Sequence, residues 1–386
     1  MKKTLSLLLA IMMVIGLFAG CTTNVPAESP ANSEEPTPTE AVPTEPVPTD
    51  AAPEATPAAE DPSAFPMTVT DQIGNEVTVE HVAERLVSGY YISSSTCIAL
   101  GLKDKLVATE EKTDKRPIYK LAAPELIGTI GNVGSAKAFD LEACIAAEPD
   151  LVILPKKAKD YAATLAEMGI PAIVVNPESH EQLVGMVNLI AQLTGAEEQA
   201  AALIARYDEV LAKIAELTAN IADDAKPVVY MCGTSSYLTT APKDMYQASV
   251  ITTAGGKNAG DELEGDSWVD ISYEQLIAMN PDVIIIPTNN MANGQPDFTA
   301  ADVIADEQLK DIVKNGAVYN MPTGFEAWDS PVPSGVLGML WMTAKLHPEV
   351  YNMDEFAADA TDFYKTFYGF DMDTSSIFAE TAEKAA

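Results

Sequence analysis

Polar and aromatic side chains follow several short apolar runs of the chain, at the positions where those runs end. Hydroxyl, amide, ammonium and aromatic groups brought to one place can bind a small molecule by hydrogen bonds and stacking. In α/β sheets, ligands bind beyond the carboxyl ends of the strands, so residues at these positions are candidates for a binding site. They are Tyr90, Tyr91, Ser94, Lys156, Tyr237 and Asn289.

Arg116 and Trp328 complete the candidate binding residues. Ten of the 21 basic residues after position 64 lie within residues 103–159, and Arg116 is among them. This concentration of bases in an acidic protein predicts an anionic ligand, with Arg116 suited to bidentate contact. Alternatively, these bases are solvated and balance acids such as Glu110. Trp328 lies in a loop with Pro and Gly, residues 322–333, so it either packs onto its own lobe or lines the binding site.

A repeated segment organises the chain around these candidates. Residues 147–155 read AEPDLVILP, and residues 279–287 read MNPDVIIIP. Each contains a continuous apolar run between Pro-Asp and Pro, which is typical of a strand buried on both faces in a parallel sheet. Glu142 and Glu274 lie seven residues before the first proline of their units, within short predicted helices. The repeat indicates equivalent positions in two similarly built halves.

The remaining pattern predicts an α/β fold with two lobes joined by one long helix. Further strands are predicted at 85–90, 105–109, 172–175, 227–231 and 317–321, and helices alternate with them. Residues 196–221 carry apolar residues at helical spacing and form the predicted connecting helix. The predicted boundaries are a first lobe over 65–178, connecting helices over 179–224 and a second lobe over 225–386.

The N-terminus predicts export and a membrane anchor. Two lysines precede an apolar run that ends at small residues and Cys21, which is typical of a signal peptide over residues 1–20. The pattern resembles a bacterial lipobox, which implies that Cys21 is lipidated. Residues 22–64 contain ten prolines, nine acidic residues and no Lys or Arg, so residues 21–64 are predicted to form a disordered tether. We therefore expect an extracytoplasmic protein attached to the cell membrane by its lipid.

Composition excludes several classes of partner and site. Residues 65–386 hold 48 acidic and 21 basic residues, which argues against a nucleic-acid partner. The three cysteines after Cys21 and the three histidines are scattered, so buried thiols are expected and a bound bare metal ion is not. The motifs GxSxG, HExxH, GxGxxG and the P-loop do not occur, so no catalytic residues are predicted.

The chain resembles the substrate-binding lipoproteins of ABC importers for iron-siderophores, haem and vitamin B12. The resemblance covers about residues 66–370. It rests on seven segments in order: MTVTDQIGNEVTVEHVAERLV, LEACIAAEPDLVIL, LAEMGIPAIVV, the connecting helix, ITTAGGKNAG, WVDISYEQLIAMNPDVIIIP and WDSPVPSGVLGMLWMTAKLHPEVY. It implies a ligand cleft between the lobes and no cofactor apart from the transported ligand.

The resemblance also implies partners. Members present one acidic side chain from each lobe to arginine pockets of a permease that works with a cytoplasmic ATPase, and the matching residues here are Glu142 and Glu274. We expect a monomer that delivers an iron chelate of the siderophore type. Vitamin B12, another corrinoid, or haem is the alternative ligand. A ligand sensor and an extracytoplasmic enzyme on the same fold are the alternatives of another class, and a sensor would not need the two glutamates.

Overall fold

The computed structural model describes residues 64–265, 267–287, 297–313, 317–322 and 324–379. A β-hairpin, β1 (Met67–Thr70) and β2 (Glu76–Val79), precedes the first sheet. The strands of the first lobe are β3 (Leu86–Ser88), β4 (Leu106–Thr109), β5 (Gly131–Asn132), β6 (Gly134–Ser135), β7 (Ala138–Phe139), β8 (Leu151–Pro155) and β9 (Ala172–Val175). Five of them form a parallel sheet in the order β5-β4-β3-β8-β9, while β6 and β7 form a separate hairpin.

The second lobe repeats this construction with fewer strands. Its strands are β10 (Val228–Met231), β11 (Thr239–Thr240), β12 (Lys257–Asn258), β13 (Val269–Asp270), β14 (Val283–Ile286) and β15 (Ala317–Asn320). Four of them form a parallel sheet in the order β12-β10-β14-β15, and β11 pairs with β13. The prediction of two α/β lobes with parallel sheets is confirmed.

Helices connect the strands and cover the sheets. Those of the first lobe are α1 (Tyr91–Ala99), α2 (Pro117–Ala122), α3 (Leu141–Ala146) and α4 (Asp160–Glu167), followed by α5 (His180–Thr194) and α6 (Glu197–Thr218). Those of the second lobe are α7 (Tyr246–Thr253), α8 (Tyr273–Met279), α9 (Ala300–Ala305), α10 (Lys310–Val313), α11 (Gly335–Leu346), α12 (Met353–Tyr368) and α13 (Ser375–Ala379).

Helix α6 is the connecting helix, and it is shorter than the apolar spacing predicted. It has 22 residues and begins at Glu197 rather than Ala196, which makes it about 33 Å long at 1.5 Å per residue. The predicted strand at 85–90 is also shorter, because β3 ends at Ser88 and Tyr90 is the N-cap residue of α1. No helix in the described part of the chain is both long and apolar enough to cross a membrane.

The repeated segment has the same structure in both lobes. Glu148 and Asn280 are the two non-glycine residues with positive φ in the described ranges, and each stands directly before the proline of its unit. The aspartate that follows accepts hydrogen bonds from backbone amides at or just before the start of the neighbouring strand. Asp150 accepts at 2.9 Å from the amides of Glu84 and Arg85. Asp282 accepts at 2.8 Å from the amide of Val228. Each unit therefore links a helix end to two adjacent strands.

Strand alternation divides the core into three clusters. Leu151 and Ile153 of β8 face the same large cluster as Val283 and Ile285 of β14, and residues of α6 such as Leu203 pack into that cluster. The intervening residues of each strand face a separate core on the outer side of their own lobe. Cys97, Cys144 and Cys232 are buried free thiols in these cores, as the sequence predicted.

Candidate ligand cleft

Buried hydroxyl groups follow the first strand of the first lobe. After β3, helix α1 begins at Tyr91 and contains Ser93, Ser94 and Ser95, all three of them buried. Parallel strands place their carboxyl ends on one edge of the sheet, so the start of α1 lies beside the residues that follow β4. The serine hydroxyls at this edge bind two acidic side chains, Glu110 from the same lobe and Glu326 from the other.

Glu110 directly follows β4 and forms the first acidic group. Its carboxylate accepts hydrogen bonds from Ser94 Oγ at 2.9 Å and from the Tyr119 hydroxyl at 3.1 Å. Arg116 Nε lies 3.4 Å from Glu110 Oε1, and the guanidinium lies 4.1 Å from the centre of the Tyr91 ring. Burial raises the pKa of the Glu110 carboxyl, while the charge of Arg116 and the Ser94 hydrogen bond oppose that rise.

Glu326 of the second lobe forms the other acidic group, and it contacts the first lobe. Ser95 Oγ donates to Glu326 Oε1, and this hydrogen bond crosses from α1 to the second lobe. Oε2 accepts from the hydroxyls of Ser334 and of Tyr368, the latter at 2.7 Å. Burial raises the pKa of Glu326, and these hydrogen bonds oppose the rise. Neutral donors therefore satisfy Glu326, whereas a cation accompanies Glu110.

A slot between the lobes is lined by Glu326 and by Arg116, the cation that lies beside Glu110. The cavity in this slot is only about 30 Å³, far below the ~300–1,000 Å³ of typical small-molecule pockets. Its lining from the first lobe is Tyr91, Ser95 and residues 116–119, and its lining from the second lobe is residues 325–327 and Val332. A ligand the size of a corrinoid therefore requires the lobes to separate.

A larger groove of about 900 Å³ lies on the first lobe alone, between the β-hairpin and α4. It includes Pro149, Asp150 and Pro171, which precede β8 and β9, so it lies at the amino ends of these strands. Ligands of parallel sheets bind at the opposite end. We therefore assign the candidate site to the slot between the lobes.

The structure brings four of the eight predicted binding residues together at the edge of the slot. Tyr90 is half-buried and packs edge to face on Tyr91, with ring centres 5.2 Å apart. Ser94 and Arg116 meet at Glu110, as described above. Lys156 is exposed in a short 3₁₀ turn after β8, and its binding role stays a prediction. Asn289 lies outside the described residues.

The prediction that Trp328 lines the binding site is wrong. Its side chain is fully buried in the second lobe, and its indole N–H donates to the Tyr364 hydroxyl at 2.8 Å. It stacks on Phe325, with ring centres 5.9 Å apart. Phe325 lines the slot. The loop that contains Trp328 has no apolar stripe of its own. Aromatic side chains of α12 pack against the indole instead, and this explains why Trp328 is buried.

Tyr237 has structural partners in the second lobe. Its hydroxyl donates to Asp306 at 2.8 Å, and Tyr273 donates to the same carboxylate oxygen at 2.7 Å. Tyr237 also packs edge to face on Phe298. The hydroxyl of Tyr237 is therefore engaged in holding the start of α8 rather than in facing the slot.

Sequence reasoning missed Glu110 and Glu326 as site residues. The sequence pattern gave Glu110 only as an acid that nearby solvated bases balance, but its side chain is buried, whereas its neighbour Glu111 is exposed. Its position directly after β4 was the available signal, because the rule for strand ends applies there too. Glu326 lies in an irregular loop and gave no signal in the sequence.

Glu142 and Glu274 lie in the first turns of α3 and α8, and both are exposed. Each helix leads back into a strand of the sheet, so its first turn lies on the side of the strand carboxyl ends. Hydrogen bonds from the backbone and from Ser272 lower the pKa of Glu274, which keeps it ionised. The two acids are thus solvent-accessible at equivalent places in the two lobes.

Comparison with known proteins agrees with this architecture. The sequence profile of the periplasmic binding protein family matches residues 86–323. An uncharacterised ABC transporter substrate-binding lipoprotein of Bacillus subtilis, YvrC, is 27% identical over 235 residues, which are 59% of this chain and 71% of YvrC. A cobalamin-binding protein of Halobacterium salinarum is 26% identical, and the match covers 68% of each chain.

The molybdate-binding protein MolA of Haemophilus influenzae is 22% identical over 327 residues, covering 78% of this chain and 90% of MolA. Its solved structure with molybdate superposes with a TM-score of 0.67 at 19% identity, covering 79% of this chain and 99% of that structure. The superposition shows a shared fold. With the profile match over more than half of its length, the chain belongs to the periplasmic binding protein family, whose members are the substrate-binding proteins of ABC importers.

Proposed function

We propose that this protein captures an uncharged metal-containing cofactor of the corrinoid type between its lobes and delivers it to the permease of an ABC importer. The observation that supports this ligand class is the charge balance of the slot. Its single guanidinium, Arg116, lies beside the buried Glu110, and the facing Glu326 is bonded to neutral donors. The slot therefore offers no excess positive charge to an anion. The cobalamin-binding relative supports the same class.

A ferric siderophore, which the sequence analysis favoured, requires more positive charge than the slot contains. Several of the bases in residues 103–159 are bound elsewhere on the first lobe. Lys103 lies 2.6 Å from Glu125, and Lys105 lies 3.1 Å from Glu84. Lys115 and Lys120 are exposed. None of these four lysines lines the slot, so we place the siderophore second.

A small oxyanion is the third candidate, since the slot is small and the relative MolA binds molybdate. An oxyanion would require Arg116 to bind it while Glu110 remains beside the guanidinium. The same charge balance therefore disfavours this candidate too.

One experiment separates the three ligands. The full-length protein is purified in detergent from membranes of its own host, grown with corrinoid and iron sources, and its absorbance spectrum and bound metals are measured. We expect a corrinoid spectrum with cobalt in a ratio of about one per chain. Bound iron with a siderophore absorbance band, or bound molybdenum without a chromophore, would contradict the proposal.

The proposed delivery uses the two exposed glutamates and the lipid anchor. Charge-assisted contacts between carboxylates and arginines are directional, so one glutamate on each lobe would report both position and lobe orientation to the permease. A lipid on Cys21 would keep the protein at the membrane surface where the permease lies. Mass spectrometry of the N-terminal peptide tests the lipid, and we expect an acylated cysteine as the first residue.

A further inference from the structure

Glu110 differs from its neighbour Glu111 in burial and in partners. Glu110 is 6% exposed and Glu111 is exposed. Two hydroxyl groups, from Ser94 and Tyr119, hold the carboxylate of Glu110 in place. The same carboxylate lies 3.4 Å from Arg116 Nε. Glu110 is therefore fixed beside the only cation in the lining of the slot, as far as the described residues extend.

The side chain of Arg116 is held by the charge of Glu110 and by stacking on Tyr91. Its Nε is buried with no hydrogen-bond partner, and the described residues provide none for its terminal nitrogens. The guanidinium lies over the face of Tyr91, which fixes its plane. Arg116 itself lines the slot. Because Nε is buried, only the two terminal nitrogens could donate to a polar group of a ligand in the slot.

The charge of Glu110 determines which kind of ligand group Arg116 can bind favourably. Two charges a few ångströms apart interact strongly in a partly buried environment, so the field of Glu110 largely cancels that of Arg116 at the ligand. An amide oxygen can still accept from the guanidinium. A carboxylate or an oxyanion gains the same hydrogen bond but is repelled by Glu110, and repulsion against the wrong ligand is a common source of specificity.

We propose that Glu110 is a specificity-determining residue that makes the cleft prefer uncharged, amide-bearing ligands over anionic ligands of the same shape. This inference rests on the proposed function for its choice of ligand class. It assigns the discrimination to one side chain, and it predicts that removing one charge converts the site into one that accepts anions.

Two matched corrinoids and a matched control variant test the proposal. Binding of cyanocobalamin and of its monocarboxylic acid, in which one side-chain amide is replaced by carboxylate, is measured calorimetrically. We expect the wild-type protein to prefer the uncharged corrinoid and Glu110→Gln to reduce that preference about tenfold, which corresponds to about 1.4 kcal/mol. The control Glu111→Gln removes the same charge from an exposed position, and it should retain the wild-type preference. An equal preference in Glu110→Gln and wild type would overturn the proposal.

Arg116→Gln provides an independent variant. It leaves Glu110 without its counter-charge, so the affinity for the monocarboxylic acid should fall more than the affinity for cyanocobalamin. Equal losses for both ligands would contradict the proposed balance. Thermal unfolding of each variant checks that the fold is retained.

Molybdate separates this inference from the proposed function. It is a small inorganic dianion whose binding does not depend on corrinoid recognition. We expect no measurable binding to wild type and weak binding to Glu110→Gln. If wild type binds neither corrinoid, the proposed ligand is wrong, yet the gain of molybdate binding in Glu110→Gln would still support the role of Glu110. Equal molybdate binding by both proteins would refute it.

Discussion

Helix α3 of the first lobe and helix α8 of the second occupy equivalent places but are fixed at opposite ends. Arg85 donates to the carbonyl oxygens of Glu148 and Ala147, at 2.7 and 2.6 Å, and thereby holds the C-terminal end of α3. In the second lobe, the hydroxyl of Tyr273 binds Asp306 and holds the N-terminal end of α8. The repeated unit gives α3 and α8 the same place in their lobes. The bonds of Arg85 and of Tyr273 differ between the lobes, and they hold opposite ends of the two helices.

The difference has a consequence for the two exposed glutamates. Glu274 directly follows Tyr273, so its position is tied to Asp306 and, through Tyr237, to the segment that follows β10. At the start of α3, Asp140 accepts from the amide of Ala143 at 2.9 Å and donates its own amide to the Val133 carbonyl at 2.9 Å. Among the described residues, no side-chain bond like that of Tyr273 to Asp306 holds this turn. We therefore expect the second lobe to present its glutamate more rigidly than the first.

The largest expected effect comes from removing both glutamates. Glu142→Ala combined with Glu274→Ala should reduce permease-dependent uptake about tenfold or more, since the proposed docking pairs each glutamate with an arginine of the permease. Ligand affinity should stay at the wild-type value because neither residue lines the slot. Uptake in cells and calorimetric binding are the two measurements. Normal uptake by the double variant would favour a sensor that does not meet a permease.

The aspartates of the repeated unit allow a direct comparison of the lobes. Asp150→Ala removes the acceptor of two backbone amides, whereas Asp282→Ala removes the acceptor of one, and Asp282 is more exposed. Hydrogen bonds to charged groups contribute about 1.5–3 kcal/mol each when buried. We expect a loss of about 2–3 kcal/mol in the free energy of unfolding for Asp150→Ala and about 1 kcal/mol for Asp282→Ala, measured in urea. Equal losses would show that the two units are energetically alike.

The contacts that hold the helix ends should differ in their effect on docking. Arg85→Ala and Asp306→Ala are each expected to lower stability by about 1 kcal/mol. Asp306→Ala should also weaken permease binding several-fold, because it frees the turn that contains Glu274. Arg85→Ala should leave permease binding closer to normal. Stimulation of the ATPase of the reconstituted importer distinguishes the two variants, and the conservative Asp306→Glu should restore part of the effect.

The smallest expected effect is the pH dependence of the two buried acids. Burial raises the folded-state pKa of Glu326 above 4.5, so the folded protein holds that proton more tightly than the unfolded chain does. Stability contributed by this group is therefore greatest in acid and declines as pH rises from about 4.5 through the raised pKa. Glu326→Gln should flatten the change in unfolding free energy between about pH 8 and about pH 5. Glu110→Gln should change it in the same direction, because burial also raises the pKa of Glu110.

The sequence predicted the fold better than the site, for a physical reason. Strands β8 and β14 and helix α8 follow from local patterns: continuous apolar runs, Pro-Asp turns and capping residues within a few positions. The site depends on pairs that are far apart in the chain. Ser95 and Glu326 are 231 positions apart, and no local spacing relates them.

Burial of single side chains was equally hard to predict. The sequence correctly predicts that Trp328 lies in an irregular loop. Its burial depends on Tyr364, which belongs to a helix 36 positions later in the chain. Glu110 is buried and its neighbour Glu111 is exposed, although both are acids. The path of the backbone after β4 determines which of the two side chains points inward. Such assignments need the tertiary structure because hydrogen-bond partners, not composition, decide them.

The large central cluster couples the two lobes energetically. Alternate residues of β8 and β14 and the buried face of α6 pack into one continuous hydrophobic cluster. Neither lobe can melt while the other keeps that cluster intact, so heating should give a single cooperative transition in the calorimeter. Slot residues such as Tyr119 and Phe325 belong to the same cluster, so separation of the lobes at the slot would expose part of this shared interior to water.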